Sequence, residues 1–221
     1  MTRTLVLSGW AAGPEAWNLC TFHHDWLFSY AEQMDGLPER VMADFDYVLL
    51  VGWSMGGSGA LRLALRHPET VRGLVLVAAT PRMMEDKASG WAGMSERRLQ
   101  ALWLGTRTVY EEDPDPTYRV ADMLRGLDDL RTTDLREDLR RLRGRFAAAG
   151  LPVEILQAER DPIVRPANAA FLKEIFPDAT LTMVPGCEHV LPVTSPELVD
   201  AAVRRIEAAA GRCGADTEVL S

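Results

Sequence analysis

Apolar residues gather in six short runs along this chain, and each run has the length of a buried strand. The runs cover residues 4–7, 26–30, 45–51, 71–78, 153–157 and 180–184. Helical stretches lie among them, at 14–19, at about 55–66 and at 195–210, where the pattern is amphipathic. Because continuous apolar strands interleaved with helices are typical of a sheet covered on both faces, the pattern predicts an α/β fold of about six mostly parallel strands.

The interval 81–150 breaks this alternation, since it shows helical patterning and turn signals without a convincing strand. Its last helix is expected to begin with a capping box at Asp134 and Glu137 and to end at Gly150. The buried stripe of that helix would be Leu135, Leu139, Leu142 and Phe146. We therefore expect one domain over 1–221, with a core of 1–80 and 151–210, a helical lid at 81–150 and a flexible tail at 211–221. The alternative is that these helices simply complete the fold.

Composition and charge narrow the class of protein. Of 221 residues, 47% are hydrophobic and 25% are charged, enough for one sizeable core. The net charge of −8 argues against nucleic acid as a general partner. Three scattered cysteines (Cys20, Cys187 and Cys213) suit neither a disulfide framework nor a zinc site. The first apolar run is too short for a signal peptide and no run approaches a membrane span, so a cytoplasmic protein is expected.

The third apolar run leads directly into Gly52-Trp53-Ser54-Met55-Gly56, and small residues open a helix behind it. A buried strand, Gly-x-Ser-x-Gly and a helix in that order predict a nucleophile elbow. In such a turn the serine is held in a strained conformation with its oxygen raised above the sheet. The pentapeptide alone also arises by chance, so the prediction depends on finding a base and an acid for Ser54.

Those partners follow the last two predicted strands. Asp161 comes after the run 153–157, and His189 comes after the run 180–184. Both therefore fall at the carboxyl edge of the sheet, in the chain order serine, acid, histidine that this arrangement requires. Glu159 or Glu188 could replace Asp161 as the acid, although the Asp-Pro turn favours Asp161.

The remaining histidines have simpler explanations. His67 lies at the end of the elbow helix, where a histidine is more often a helix-terminus group. His23, His24 and Asp25 resemble a metal cluster, but adjacent side chains point in different directions and a solvated turn is favoured.

An oxyanion hole needs a second backbone donor besides Met55, and the loop after the first strand supplies Trp10. The indole of Trp10 would also cover the acyl pocket, together with Trp53 and Trp91. Trp103, Tyr110 and Tyr118 would shape the pocket further. A plain core tryptophan is the alternative for Trp10.

With its elbow, acid and base, the chain resembles the α/β-hydrolase superfamily from Leu5 to about Glu207. Further segments resemble the carboxylesterases of biotin biosynthesis that hydrolyse pimeloyl-acyl-carrier-protein methyl ester. They are Gly9-Trp10, Thr80-Pro81, Gly90-Trp91-Ala92-Gly93-Met94 and the stretch 126–136. Ser8 departs from that family, which commonly has His before this glycine. The resemblance implies a serine esterase that needs no metal or organic cofactor.

An acyl carrier protein is acidic, so the resemblance also implies a local basic surface. Residues 135–146 carry five arginines against Glu137 and Asp138, and we expect Arg136, Arg140 and Arg143 to bind the carrier. A solvated helix face is the equal alternative.

Rival functions on the same three residues are a general short-acyl carboxylesterase or lactonase and a cofactor-free perhydrolase. A ligand-binding receptor with the hydrolase fold is a further alternative. The oligomeric state is left open.

Overall fold

A computed structural model describes residues 2–112 and 119–215, except for the side chains of 110–112 and 212–215. Its centre is a six-stranded sheet with the order β2-β1-β3-β4-β5-β6, in which every pair is parallel. The strands are β1 (Arg3–Leu7), β2 (Trp26–Phe28), β3 (Val48–Trp53), β4 (Val71–Val77), β5 (Val153–Ala158) and β6 (Thr180–Val184). The predicted α/β fold with a parallel sheet is confirmed.

Helices cover both faces of the sheet. They are α1 (Tyr30–Met34), α2 (Leu37–Met42), α3 (Met55–Arg66), α4 (Glu96–Glu112), α5 (Val120–Thr132), α6 (Arg136–Ala148), α7 (Ala167–Ile175), α8 (Leu191–Thr194) and α9 (Pro196–Ala215). Leu5 and Leu7 of β1 pack toward α3, α6 and α7, whereas Val6 packs on the other side with α9. Because alternate side chains enter different cores, the strands read as continuous apolar runs.

The structure differs from the predicted elements around β2. The stretch 14–19 forms only a short 3-10 helix, Pro14–Trp17, and the strand predicted to reach residue 30 ends at Phe28. Ser29 then caps α1 through a capping box with Glu32. The two short helices α1 and α2 were not predicted, although the Ser29 and Glu32 spacing was a usable signal.

The interval 81–150 contains α4, α5 and α6, which differ in what they cover. In the predicted stripe of α6, Leu135, Leu139 and Phe146 are buried and Leu142 is partly buried, and the stripe joins the core cluster that includes residues of α3 and α7. Helices α4 and α5 instead form a separate cluster with Trp10 and Met55. One of the turn signals of this interval, Asp113-Pro114-Asp115-Pro116, lies outside the described residues.

The predicted capping box of α6 is wrong. The N-cap residue is Leu135, and it makes no side-chain cap. Asp134 instead accepts the backbone N–H of Arg136 at 3.2 Å, and it also accepts hydrogen bonds from the guanidinium groups of Arg82 and Arg136.

Helix α9 continues to Ala215, beyond the end expected at residue 210, so the first part of the expected tail is helical. The last six residues, 216–221, lie outside the part of the chain that the structure describes. Within the described residues, no helix is both long enough and apolar enough to span a membrane.

Candidate active site

Ser54 stands between β3 and α3 with φ 57° and ψ −118°. Its backbone N–H donates to the Val77 carbonyl at 2.9 Å, and its own carbonyl accepts from the N–H of Gly57 at 3.0 Å. The turn depends on glycine at position 56, since a Cβ there would lie 2.1 Å from the Leu7 carbonyl oxygen. The elbow thus reaches this geometry because Gly56, which has no side chain, lets the backbone of α3 pack directly against the backbone of β1.

The structure brings the predicted acid and base to this serine. Nε2 of His189 lies 2.8 Å from Oγ of Ser54, and Nδ1 lies 2.8 Å from Oδ2 of Asp161. The Asp161 side chain is fully buried, with 0% exposure, and the His189 side chain is 13% exposed. Since an ionised carboxylate accepts the Nδ1 proton, Nε2 is left to accept the serine hydroxyl proton.

Backbone groups hold Asp161 in place. Its Oδ1 accepts the N–H groups of Ile163 and Val164, each at 2.8 Å. Its Oδ2 accepts from the buried amide of Gln157 at 3.3 Å as well as from His189. Sequence reasoning missed Gln157, although a glutamine within an otherwise apolar strand was a signal.

The loop that carries His189 is tied to the elbow through Trp53. The Trp53 indole N–H donates to the His189 carbonyl at 3.0 Å, and the two rings lie 5.6 Å apart between centroids. Trp53 therefore contacts both the backbone and the imidazole of His189, in addition to lining the cleft.

The rival acids lie elsewhere. Glu159 accepts the backbone N–H of Gly186 at 3.1 Å, and so it links the two loops that carry Asp161 and His189. Glu188 is exposed. The remaining histidines are also remote from the elbow: His67 pairs with Glu39 at 2.7 Å, and the His23 side chain is 83% exposed. Among the described residues, no cluster of three His, Cys, Asp or Glu is placed to hold a metal ion.

Trp10 and Met55, the two residues predicted to supply the oxyanion donors, lie beside Ser54. The Trp10 loop is close, because a Cβ added at the preceding residue, Gly9, would lie 3.3 Å from Cβ of Ser54. Among the hydrogen bonds of residues 2–112 and 119–215, none uses the backbone N–H of Trp10 or Met55. The Trp10 indole N–H donates to the Met123 carbonyl of α5 at 3.0 Å.

A cleft of about 180 Å³ opens over Ser54. Its described lining is Gly9, Trp10, Ala11, Trp53, Ser54, Met83, Leu102, Thr106, Leu130, Ile163 and His189. Leu102 and Thr106 come from α4 and Leu130 from α5, so the segment 81–150 forms part of the wall. Trp103 packs near Trp10, with 6.4 Å between ring centroids, whereas Tyr118 and the side chain of Tyr110 lie outside the described residues.

Trp91 does not reach this cleft. Its indole N–H donates to the Arg82 carbonyl at 3.0 Å, and its ring packs edge-to-face on Phe171 at 5.3 Å. A β-bridge between Asp86 and Trp91 folds the segment back on itself and places the indole beside α6 and α7 instead.

Most of the arginines expected to bind a carrier have partners within the chain. Arg136 is only 11% exposed and pairs with Asp86 at 2.9 Å and Asp134 at 2.8 Å. Those carboxylates raise the pKa of Arg136, Asp134 most strongly, and Arg136 in turn holds the pKa of Asp86 well below its usual range.

The other arginines of α6 lie on the exposed side. Arg140 pairs with Glu137 at 2.5 Å and lies over the Phe171 ring. Arg143 is exposed and has no ion pair within the described part of the chain. None of the described lining of the cleft comes from α6. The predicted patch is thus largely neutralised and lies away from the cleft lining.

The fold and the three aligned side chains define a class of protein. A family model described as the alpha/beta hydrolase family matches residues 5–202, and the chain belongs to this family of hydrolytic enzymes. Solved structures agree on the fold. An esterase from Exiguobacterium antarcticum superposes with a TM-score of 0.71 at 16% identity, covering 93% of this chain and 92% of that one. A hydrolase from Oleispira antarctica has a TM-score of 0.68 at 14% identity, covering 93% and 90%.

Curated relatives are more specific in name. The chain is similar to pimeloyl-[acyl-carrier protein] methyl ester esterases from three organisms. In Nitrosospira multiformis the identity is 29%, over 67% of this chain and 64% of the relative. In Yersinia enterocolitica it is 31%, over 66% and 64%. In Aromatoleum aromaticum it is 25%, over 87% and 93%. The match with the first two spans slightly less than two thirds of their length.

Proposed function

We propose that the protein is a serine carboxylesterase in which Ser54 is the nucleophile, His189 the base and Asp161 the orienting acid. The observation that supports this most directly is the pair of 2.8 Å hydrogen bonds that aligns the three side chains. A hydroxyl is a weak nucleophile, and this line of groups is the arrangement that removes its proton as it attacks.

The reaction would proceed through an acyl-enzyme. His189 takes the hydroxyl proton while Oγ of Ser54 bonds to the ester carbonyl carbon, and Asp161 stabilises the imidazolium. The backbone N–H groups of Trp10 and Met55 would receive the developing oxyanion. The alcohol leaves with the proton from His189, and water then repeats the sequence on the acyl-enzyme. These steps call on protein groups and water alone.

Labelling with a fluorophosphonate tests the assignment and separates an enzyme from a receptor. We expect stoichiometric labelling of wild type at Ser54, no labelling of Ser54→Ala, and a kcat loss of roughly 10⁴-fold in Asp161→Asn. Ser58→Ala is the matched control, because its buried hydroxyl donates to the Thr80 carbonyl at 2.7 Å and lies outside the aligned group. Unlabelled wild type, or an Ser54→Ala variant with full esterase activity, would refute the assignment.

We also propose that the segment 81–150 serves as the lid. Helix α5 is fixed to the core by the Trp10 indole and by Arg62, which donates to Asp129 at 2.9 Å. Helix α4 meets the acid's loop through Arg98, which donates to the Pro162 carbonyl at 2.7 Å. A wall built from both helices would exclude water from the acyl-enzyme.

The proposed substrate is a methyl ester of a pimeloyl group held by an acyl carrier protein, and the names of the curated relatives support it. Complementation of a biotin-auxotrophic host that lacks its own pimeloyl ester esterase is the direct test. We expect growth without biotin from wild type and none from Ser54→Ala. If the wild-type protein is expressed and active but does not support growth, the proposed substrate is wrong.

A general short-acyl carboxylesterase or lactonase is the second candidate, and the internal pairing of Arg136 favours it. Reversal of the two exposed arginines, Arg140→Glu with Arg143→Glu, distinguishes the two. A carrier-dependent enzyme would show a raised KM for the carrier-bound ester and an unchanged KM for a small ester. Equal KM values before and after reversal would favour the general esterase. A peroxide-dependent halogenation assay would reveal a perhydrolase.

A further inference from the structure

Gln157 is a buried amide whose side chain reaches the candidate acid. It lies in β5, one residue before the end of the strand, and is 1% exposed. Its Nε2 donates to the carbonyls of Ala158 at 3.1 Å and Val164 at 3.0 Å, and to Oδ2 of Asp161 at 3.3 Å. The same Oδ2 accepts the Nδ1 proton of His189.

A buried polar side chain in a central strand calls for a reason, because an unpaired amide would cost free energy. The other polar residue of β5, Glu154, has one: it receives two hydrogen bonds from Arg205, at 2.9 and 2.8 Å. Among the described residues, Gln157 has no such partner across the sheet. Its hydrogen bonds go to the last residue of β5, Ala158, and to Asp161 and Val164 in the loop that follows.

The bonding of Asp161 shows what Gln157 adds. Two backbone N–H groups occupy Oδ1, so the loop itself fixes that oxygen. Within the described residues, the donors to Oδ2 are two side chains, the imidazole and the Gln157 amide. Because a hydrogen bond to an ionised acceptor is stronger than a neutral one, the amide both orients Oδ2 and shares its negative charge.

We propose that Gln157 is a positioning residue for the acid–base pair, acting on His189 through Oδ2 of Asp161. This rests on the proposed function of the three aligned residues. With the amide in place, part of the carboxylate charge is directed to Gln157. Without it, the carboxylate holds the protonated imidazole more strongly, and His189 remains protonated, and unable to act as a base, up to a higher pH.

The test compares pH profiles of kcat/KM for a small activated ester. Gln157→Met keeps the length and volume of the side chain and removes the donor. Gln157→Asn is the second variant, because it keeps an amide in the strand but withdraws it from Asp161 by one methylene. Asn168→Leu is the matched control: Asn168 is 3% exposed and its amide donates to the Arg165 carbonyl of the same loop at 3.0 Å, without contact to Asp161.

We expect the acid limb of Gln157→Met to move to higher pH, by up to about one unit, with a kcat loss of roughly tenfold and little change in KM. Gln157→Asn should move in the same direction, and it decides the matter if Gln157→Met does not fold. If the acid limbs of the Gln157 variants lie at the same pH as those of wild type and Asn168→Leu, the proposal is overturned, whatever the change in kcat. Failure of wild type to react with a fluorophosphonate would instead overturn the proposed function.

Discussion

Ser54 has a backbone conformation, φ 57° and ψ −118°, that residues with a Cβ rarely adopt. We expect this strain to be measurable by replacing the residue with glycine. The parent is Ser54→Ala, which removes the hydroxyl and keeps the strain. Changing that alanine to glycine removes the Cβ and with it the strain. Ala60→Gly in the same Ser54→Ala background is the control, since Ala60 is fully buried in α3.

The expected magnitude follows from three contributions. An ordinary buried alanine-to-glycine change costs about 1 kcal/mol in chain entropy and about 0.8 kcal/mol in lost burial of one carbon. Both positions share these costs. Only position 54 gains from release of strain, which is about 2 kcal/mol for such a conformation. The two glycine variants should therefore differ by about 2 kcal/mol, with position 54 close to neutral relative to its parent.

Equilibrium unfolding in urea, followed by circular dichroism, measures this difference. For a chain of this size the same difference corresponds to a Tm separation of about 4–8 °C. If glycine at position 54 destabilises the parent as much as glycine at position 60 does, Ser54 is not strained. That result would refute the prediction that the elbow holds the nucleophile in a strained conformation.

Three further outcomes follow from other parts of the structure. Gly56→Ala should lose about 3 kcal/mol of unfolding free energy by urea titration, since its Cβ meets the Leu7 carbonyl, whereas Gly144→Ala, with open space around it, should lose none. The pKa of Asp86 is lowered from 3.8, so its pair with Arg136 stabilises the fold fully above that pH and progressively less as the pH falls. Arg136→Met should therefore weaken the dependence of the unfolding free energy on pH below about pH 4. Burial, with nearby Asp200 and Glu197, raises the pKa of Cys20 to about 12, so iodoacetamide at pH 8 should modify Cys20 only in urea, as judged by mass spectrometry.

Much of the sheet could be predicted because its inner strands are buried on both faces. Val48–Trp53 and Val71–Val77 are central strands; the first has no polar residue, and the second has one, Arg72, near its start. The positions of Asp161 and His189 then followed from topology, since the carboxyl ends of parallel strands meet at one edge. The short helices α1 and α2 were missed because five or six residues are too few for a helical period to show.

The charged residues were harder to interpret for a different reason. The sequence shows five arginines along α6 but not the carboxylates that fold onto them. Asp86 lies 50 residues before Arg136, and Arg82 lies 52 residues before Asp134. Local charge counting therefore gave +3 for a surface on which Arg136 is nearly buried. Contacts of this range depend on how the segment 81–150 folds back, and no local sequence pattern shows that.

The same distinction separates the chemistry of the candidate site from its specificity. The three aligned residues sit on the sheet edge, where each position follows from a strand that the sequence identifies. The cleft wall instead combines Trp10 from one loop, Leu102 and Thr106 from α4, and Leu130 from α5. Acyl preference should therefore change when α4 or α5 is altered, while reaction of Ser54 with a fluorophosphonate should persist, because the wall and the reacting groups are built by different parts of the chain.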